Sequence, residues 1–461
     1  MLSQSGGSVR ALGAALPRSL VVFLLLLSSF VITSSQPSHA IPAFARKYGL
    51  PCSACHIGWP ILNVFGQQFR DNGYQLGNDR DSPIYQNPAY WPITFRVTPQ
   101  WHLENQTKVA IDQTGAEQSV TTTGFDLSGL DIWTAGTLYK NISFSVLPSM
   151  GEGDTFHFEN AWVRFDNLFN TPWMNVKVGK FELDMLLSEK RFLTLSNVGG
   201  AWFNYQFLPQ GDINGFGGIG DNQLGVELSG HSKNSYARYS IAMLSSVDGN
   251  PGLTSGGQGG TARTYDVFAN VNEGFQVRGL GVQRVGLFGY IGRSPTYFLT
   301  SQGTPVEAQG NKSFSRVGAY GWWFFKNLDV ETLYMHGQDN VFLGNGVAAN
   351  DPASLPAGAV GPTWNGGFVE AHYTVNPQLI LTGRYELVHM SRQANTAMQA
   401  TPNLGNVDSF TIGYRWYPIM FSRGGLAFHN EYAQAKTGNT SLLTGSDQTS
   451  RSVMIGFDFD Y

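Results

Sequence analysis

Residues 452–461 read Ser-Val-Met-Ile-Gly-Phe-Asp-Phe-Asp-Tyr, and their alternation decides the fold. Val453, Ile455, Phe457, Phe459 and Tyr461 fall on one side of an extended chain; Ser452, Met454, Gly456, Asp458 and Asp460 fall on the other. Period two is the strand period, and a strand apolar on one face and polar on the other suits a wall between hydrocarbon and a wet lumen. Leu224, Val226 and Leu228 repeat the pattern against Gln223, Glu227 and Ser229, and Ile142, Phe144 and Val146 repeat it against Ser143 and Ser145.

Working back from this strand, sixteen such segments can be counted, beginning near residues 93, 125, 142, 156, 174, 222, 235, 263, 279, 314, 328, 364, 379, 408, 425 and 451. Their connectors alternate in length. Short ones include Lys140-Asn141, His231 to Asn234, Lys326-Asn327 and Asn376 to Gln378; long ones include 103–122, 185–221, 246–262, 292–313 and 337–363. The fold expected is mostly β: an antiparallel transmembrane β-barrel of about sixteen strands, with short periplasmic turns, long outer loops and both termini in the periplasm. A soluble propeller would instead show a repeat of blade length, which is absent.

Composition agrees. Only 13% of the 461 residues are charged, against roughly a quarter in ordinary soluble domains. Mean hydropathy is nevertheless -0.15, and after Ile32 no apolar run is long enough for a membrane helix. No basic stripe is present, which argues against nucleic acid as a partner.

The N-terminus reads as an export signal, residues 1–40. Arg10 and Arg18 precede an apolar stretch from Leu20 to Ile32, no acid occurs before Asp71, and Ser38-His39-Ala40 offers a cleavage site that would leave Ile41 first. Cleavage leaves 27 Lys and Arg against 33 acids, a net charge of -6.

Between signal and barrel lies a segment, 41–90, that carries both cysteines of the chain in the string Cys52-Ser53-Ala54-Cys55-His56. Two thiols separated by two residues can each form a thioether to a haem vinyl group, and the adjacent imidazole then falls under the iron. A redox disulfide would call for a thioredoxin-like βαβ setting, and a zinc site for a second cysteine pair; neither is present. The expected cofactor is one covalent haem c, with Cys52 and Cys55 as thioethers and His56 as proximal iron ligand. Pro60, Ile61, Leu62, Phe65 and Phe69, ending at Asn72-Gly73, predict a short helix covering the haem edge.

The stretch Ile41-Pro-Ala-Phe-Ala-Arg-Lys-Tyr-Gly-Leu-Pro-Cys-Ser-Ala-Cys-His56, continued through Pro60, Leu62-Asn63, Phe65-Gly66 and Phe69 to Asn72-Gly73-Tyr74, resembles the fused monohaem c-type cytochrome–porins of the outer membrane. Their best-known members are iron oxidases. The resemblance covers residues 41–74; beyond them it is one of architecture. It implies an electron-transfer role in the outer membrane of a Gram-negative bacterium, embedded in lipid. Electrons would pass from an extracellular donor such as Fe(II) to a periplasmic electron-carrier cytochrome, which would make the chain an Fe(II)-oxidising oxidoreductase. A single haem can couple the two sides only from within the lumen, because the apolar band of such a barrel is about 25 Å tall.

The sixth iron ligand stays open. No Met or His lies between His56 and His102. His372 or His429, both predicted to face the lumen, could serve as distal ligand; so could the α-amine of Ile41, as in the similar head of cytochrome f, or the position could hold water. Glu370, His372, Arg384, Glu386, Arg415, His429 and Glu431 are all expected inside, where Arg384 and Arg415 could meet the haem propionates. His102, His157, His336 and His389 fall near outer strand ends, where they could gather metal ions. Two other functions compete with an electron conduit: a diffusion porin or solute transporter with a haem-bearing plug, and a haem peroxidase-like enzyme.

Overall fold

The computed structural model describes residues 43–460 apart from 59–60, 77–80, 88, 112–115, 151–155, 188–192, 194–218, 220–221, 246–264, 300–304, 340–359, 394–402, 422–423 and 440–446. The expected signal segment, Ile41, Pro60 and Tyr461 lie outside the described residues, as do most of the long connections.

Strands β1 to β4 are Ile93–Ala110, Glu117–Tyr139, Ile142–Met150 and Phe156–Phe165. Next come β5 to β8, at Asn175–Glu182, Asn222–His231, Ala237–Ser245 and Tyr265–Val277. Strands β9 to β12 are Gly281–Leu299, Pro305–Phe325, Leu328–Gln338 and Thr363–Asn376. The last four, β13 to β16, are Leu379–Arg392, Val407–Phe421, Gly424–Thr437 and Gln448–Asp460. They form one closed barrel of sixteen antiparallel strands. The seam between β16 and β1 runs through Val453 opposite Leu103 and Ile455 opposite Trp101, so no edge is left unpaired.

The alternation read in the sequence is the alternation seen. In β16, Ser452, Met454, Gly456 and Asp458 are buried toward the lumen, while Ile455, Phe457 and Phe459 are exposed outside. Val226, Ile241, Val271, Leu287, Val317, Tyr334, Val369, Ile412 and Ile455 continue that outer face around the wall as an exposed apolar belt. Soluble monomers rarely show so continuous a patch. No helix among the described residues is long and apolar enough to cross a membrane; the strands supply the span.

Local chemistry explains the irregularities. Pro99, Pro148 and Pro295 sit at register shifts, where a residue without an N–H interrupts no ladder. The two-residue connectors Lys140-Asn141 and Lys326-Asn327 begin with left-handed residues, Lys140 at φ 47 and Lys326 at φ 63, as tight hairpin turns require. Two expected long loops are corrected. The segments 103–122 and 292–313 are mostly strand, since β1 and β2, and β9 and β10, continue their pairing far past the apolar belt.

The lumen is filled on its long-loop side. After β5 the chain folds inward, and Leu183, Met185, Leu186 and Leu187 pack with Phe268, Phe288, Tyr320, Met335, Trp364 and Phe368 from the surrounding wall. The head fills the other end. Its helices are α1 (Ala43–Tyr48), α2 (Cys52–Cys55) and α3 (Val64–Asp71). Gln68 donates to the Asn234 carbonyl in the β6–β7 turn at 2.8 Å, and Thr137 of β2 donates to the Gly73 carbonyl at 3.0 Å, which places the head inside the short-turn mouth.

Candidate functional site

The five-residue cysteine motif folds as one turn and an exit. Ala54 N donates to the Pro51 carbonyl at 2.9 Å, α2 carries Cys52 and Cys55, and His56 then enters a two-stranded ladder, His56–Gly58 against Ile61–Leu62. This ladder corrects the expected helix start: Ile61 and Leu62 are extended, and α3 begins at Val64. Asn63 is the reason. Its side-chain amide donates to the Ser53 and Ala54 carbonyls at 3.1 and 3.0 Å, and its Oδ1 accepts from Gly66 N at 3.0 Å, capping α3. One residue therefore ties the motif to the helix that covers it. The approach is close: a Cβ on Gly66 would lie 2.1 Å from the Cys55 carbonyl oxygen.

Aromatic contacts fix the head to the wall. Phe44 stacks on Tyr74 at 5.4 Å between centroids, Tyr74 stacks on Trp162 at 6.2 Å, and Trp133 meets both Phe44 and Tyr74 edge-on. Charge completes the attachment. Arg238 of β7 bonds both Asp71 oxygens, at 3.0 and 2.8 Å, and both Asp184 oxygens, at 3.1 and 3.0 Å; Arg70 reaches Asp184 at 3.1 Å. Arg164 of β4 donates to the Arg70 and Asp71 carbonyls at 2.9 and 3.2 Å, satisfying the C-terminal end of α3 where its dipole favours a cation.

Between head and wall lies a cavity of about 380 Å³. Cys55 and His56 line it, with walls from Tyr48, Phe65, Phe69, Trp133 and Trp162 and cations from Arg70, Arg96, Arg164 and Lys177. Its volume is that of a small-molecule site. Each cation is oriented by a carboxylate: Arg70 by Asp184, Arg96 by Asp458 at 3.1 Å, Arg164 by Asp166, and Lys177 by Glu227 at 2.6 Å. A thiol and an imidazole opening onto one apolar slot with basic groups fit a covalently attached haem. Nothing is described of the Cys52 side chain.

The two candidate distal histidines are both engaged with carboxylates. Among the described residues lining the cavity, His56 is the single histidine and there is no methionine. His372 is held between carboxylates, Nδ1 at 2.7 Å from Asp329 and Nε2 at 2.6 Å from Glu370. His429 points Nδ1 at Asp458 at 3.4 Å, its ring over Gly456, where a Cβ would meet Nε2 at 2.2 Å. Neither imidazole is among the residues that line the cavity at His56.

All seven predicted lumen residues, Glu370, His372, Arg384, Glu386, Arg415, His429 and Glu431, are buried inside. Five of them fall into two groups. Arg415, His429 and Asp458 join Arg96 near the cavity, while Glu370, His372 and Arg384 join Asp329 and Glu331. Sequence reading missed Asp329 and Glu331, although two acids alternating with Leu328 and Val330 signal an inward face. It also missed Asn63, Arg238 and Asp184. The rim histidines do not converge: His102 pairs with Asp126, His336 with Asn365 and His389 with Asp408.

No protein-family model matches the chain, and no curated protein matches it. Solved structures do. A loop L8 deletion mutant of OmpT, an outer membrane protein of Vibrio cholerae, is 12% identical over 80% of this chain and 99% of its own, with a TM-score of 0.49. The outer membrane channel DcaP of Acinetobacter baumannii is 10% identical over 80% and 96%, TM-score 0.49. An anion-selective porin from Comamonas acidovorans is 12% identical over 80% and 98%, TM-score 0.48.

Proposed function

We propose that this chain is an outer-membrane electron-transfer protein of a Gram-negative bacterium, carrying one c-type haem on Cys52, Cys55 and His56. It would relay electrons from an extracellular donor, Fe(II) being the one the head sequence suggests, to a periplasmic carrier cytochrome. The observation that carries the reading is the position of Cys55 and His56: they line a cavity inside the barrel rather than on a free head. The exposed apolar belt supports membrane residence, and the short turns at the head's end support a periplasmic exit.

A bound haem would supply one-electron chemistry. The chain's own residues set its surroundings. Cys52 and Cys55 would anchor its edge and His56 its iron, while Phe65, Phe69, Trp133 and Trp162 would give the slot its apolar walls. Arg96 and Arg164, which line the cavity, would offer bidentate partners to its propionates. Sixteen strands also suit a diffusion porin, but the apolar packing of Leu183, Met185, Phe268, Met335 and Trp364 across the lumen disfavours free solute passage.

Two measurements on the full-length protein test the proposal. Haem staining on a denaturing gel should be present in the native chain and lost in a Cys52→Ala, Cys55→Ala variant; stain retained by the variant ends the attachment claim. Anaerobic mixing with Fe(II) should then reduce the haem in stopped-flow absorbance. No reduction by Fe(II) removes that donor, and rapid peroxide turnover instead would move the chain to the peroxidase class.

A further inference from the structure

The lumen wall holds a second cluster, apart from the cavity at His56. Asp329 and Glu331 on β11 face Glu370 and His372 on β12, with Asp329 opposite His372 and Glu331 opposite Glu370 in register. Asp329, Glu331 and His372 each bring one ligand atom to within 4.8 Å of the other two, and all three are buried. Among the described residues no other group of three does so.

Two observations point to a missing cation. Glu331 is 2% exposed, and its Oε2 has no hydrogen-bond partner among the described residues. An ionised carboxylate this dehydrated needs a cationic partner or a metal ion. Charge is the second. Three carboxylates, Asp329, Glu331 and Glu370, share the cluster with one guanidinium, Arg384, which lies 2.9 Å from Glu370. Among the described residues, with a neutral His372 and all three carboxyls ionised, the cluster lacks two positive charges, the charge of one divalent ion.

We propose that Asp329, Glu331 and His372 form a binding site for a divalent transition-metal ion, a site that stands or falls independently of the haem. Its geometry assigns the roles. A neutral imidazole carries one N–H. Donated from Nε2 to Glu370 at 2.6 Å, it leaves the Nδ1 lone pair facing Asp329 at 2.7 Å, a contact between two acceptors that a cation resolves. Glu370, held by Arg384, is then the partner that orients the ligating histidine, the usual support of such sites. Trp322 Nε1 fixes Asp329 by donating to Oδ2 at 3.2 Å. Two carboxylates and one imidazole suit Mn(II), Fe(II), Co(II) or Zn(II) better than the all-oxygen shells of Ca(II) and Mg(II). Trp322 also packs with Ile61, Leu193, Ile380 and Ile57, so the ion would lie behind the apolar layer that backs His56.

The test is Mn(II) titration of chelator-stripped, detergent-purified full-length protein, followed by loss of the free-ion EPR signal at room temperature. The native chain should silence one equivalent. Glu331→Gln should weaken binding at least tenfold, and Asp408→Asn, at the exposed rim pair with His389, should leave it unchanged. Pulsed EPR of the loaded native protein should show nitrogen coupling from one histidine, a readout that needs no variant to fold. No bound equivalent, no nitrogen coupling, or undiminished affinity in Glu331→Gln each overturns the site; His372 would then be an imidazolium bridging two carboxylates. Haem reduction by Fe(II) without a bound Mn(II) equivalent would sink this site and leave the electron-transfer reading in place.

Discussion

Asp71 shows how single charges hold the head in the barrel. Burial alone would raise its carboxyl pKa, but the Arg238 guanidinium, aided by His231, Ser235 and Arg70, outweighs burial and holds it well below the usual carboxylate range. Asp184 is lowered in the same sense, burial again being outweighed by Arg238 and Arg70. A carboxylate more acidic folded than free stabilises the docked state fully above its free pKa of about 4, and loses that contribution as pH falls through the depressed folded value. Head docking should therefore be constant from neutral pH to about pH 5 and weaken in stronger acid. Amide hydrogen exchange in α3 of the full-length protein reads this directly. Asp71→Asn should raise α3 opening at neutral pH on the order of a hundredfold, the scale expected when one member of a buried ion pair is removed, and flatten the acid dependence. Equal exchange in variant and native chain would mean that the aromatic contacts alone hold the head.

At the scale of elements, the decisive joint is between α3 and the cysteine turn. Gly66 has no room for a side chain against the Cys55 carbonyl, and backbone cannot give way as a flexible side chain can. Gly66→Ala should displace α3 and cut covalent haem content severalfold on stained gels, with barrel folding unchanged by heat-modifiable migration. Full haem loading in that variant would show that the turn matures without the helix. The sequence signals for these elements were uneven, for physical reasons. Strand starts near 142, 156, 222, 328 and 379 were legible because two solvents impose period two on each strand. Strand ends around 103–122 and 292–313 were not, because beyond the apolar belt both faces meet water and the alternation vanishes. Ile61, Leu62, Phe65 and Phe69 are spaced for a helix, yet the first two pair with Gly58 and His56. A ladder and an Asn63 cap overrode local periodicity.

The whole molecule divides its lumen into a filled half and a half that holds the head. Cys52, Cys55 and His56 stand out in the sequence because the proposed covalent attachment would demand adjacency in the chain. The remaining cavity walls could not: Arg96, Trp133, Trp162, Ile380, Tyr417 and Asp460 meet there only once the barrel closes. The filled half bears on transport. Phe181 at the end of β5, and Leu183 and Met185 from the β5–β6 connection, are fully buried against Leu244, Phe268, Met335 and Trp364. Water-filled porins keep a polar interior of comparable strand number open, whereas here ions would have to displace close-packed apolar side chains. Full-length protein in planar bilayers should accordingly show little steady conductance, far below that of an open sixteen-stranded channel. Replacing Leu183, Met185 and Leu187 together by serine should loosen that packing and raise conductance, while haem staining persists because none of the three lines the cavity at Cys55 and His56. Large, stable, porin-like steps from the native chain would show that the apolar packing does not close the lumen, and would favour diffusion over electron relay as the role of the barrel.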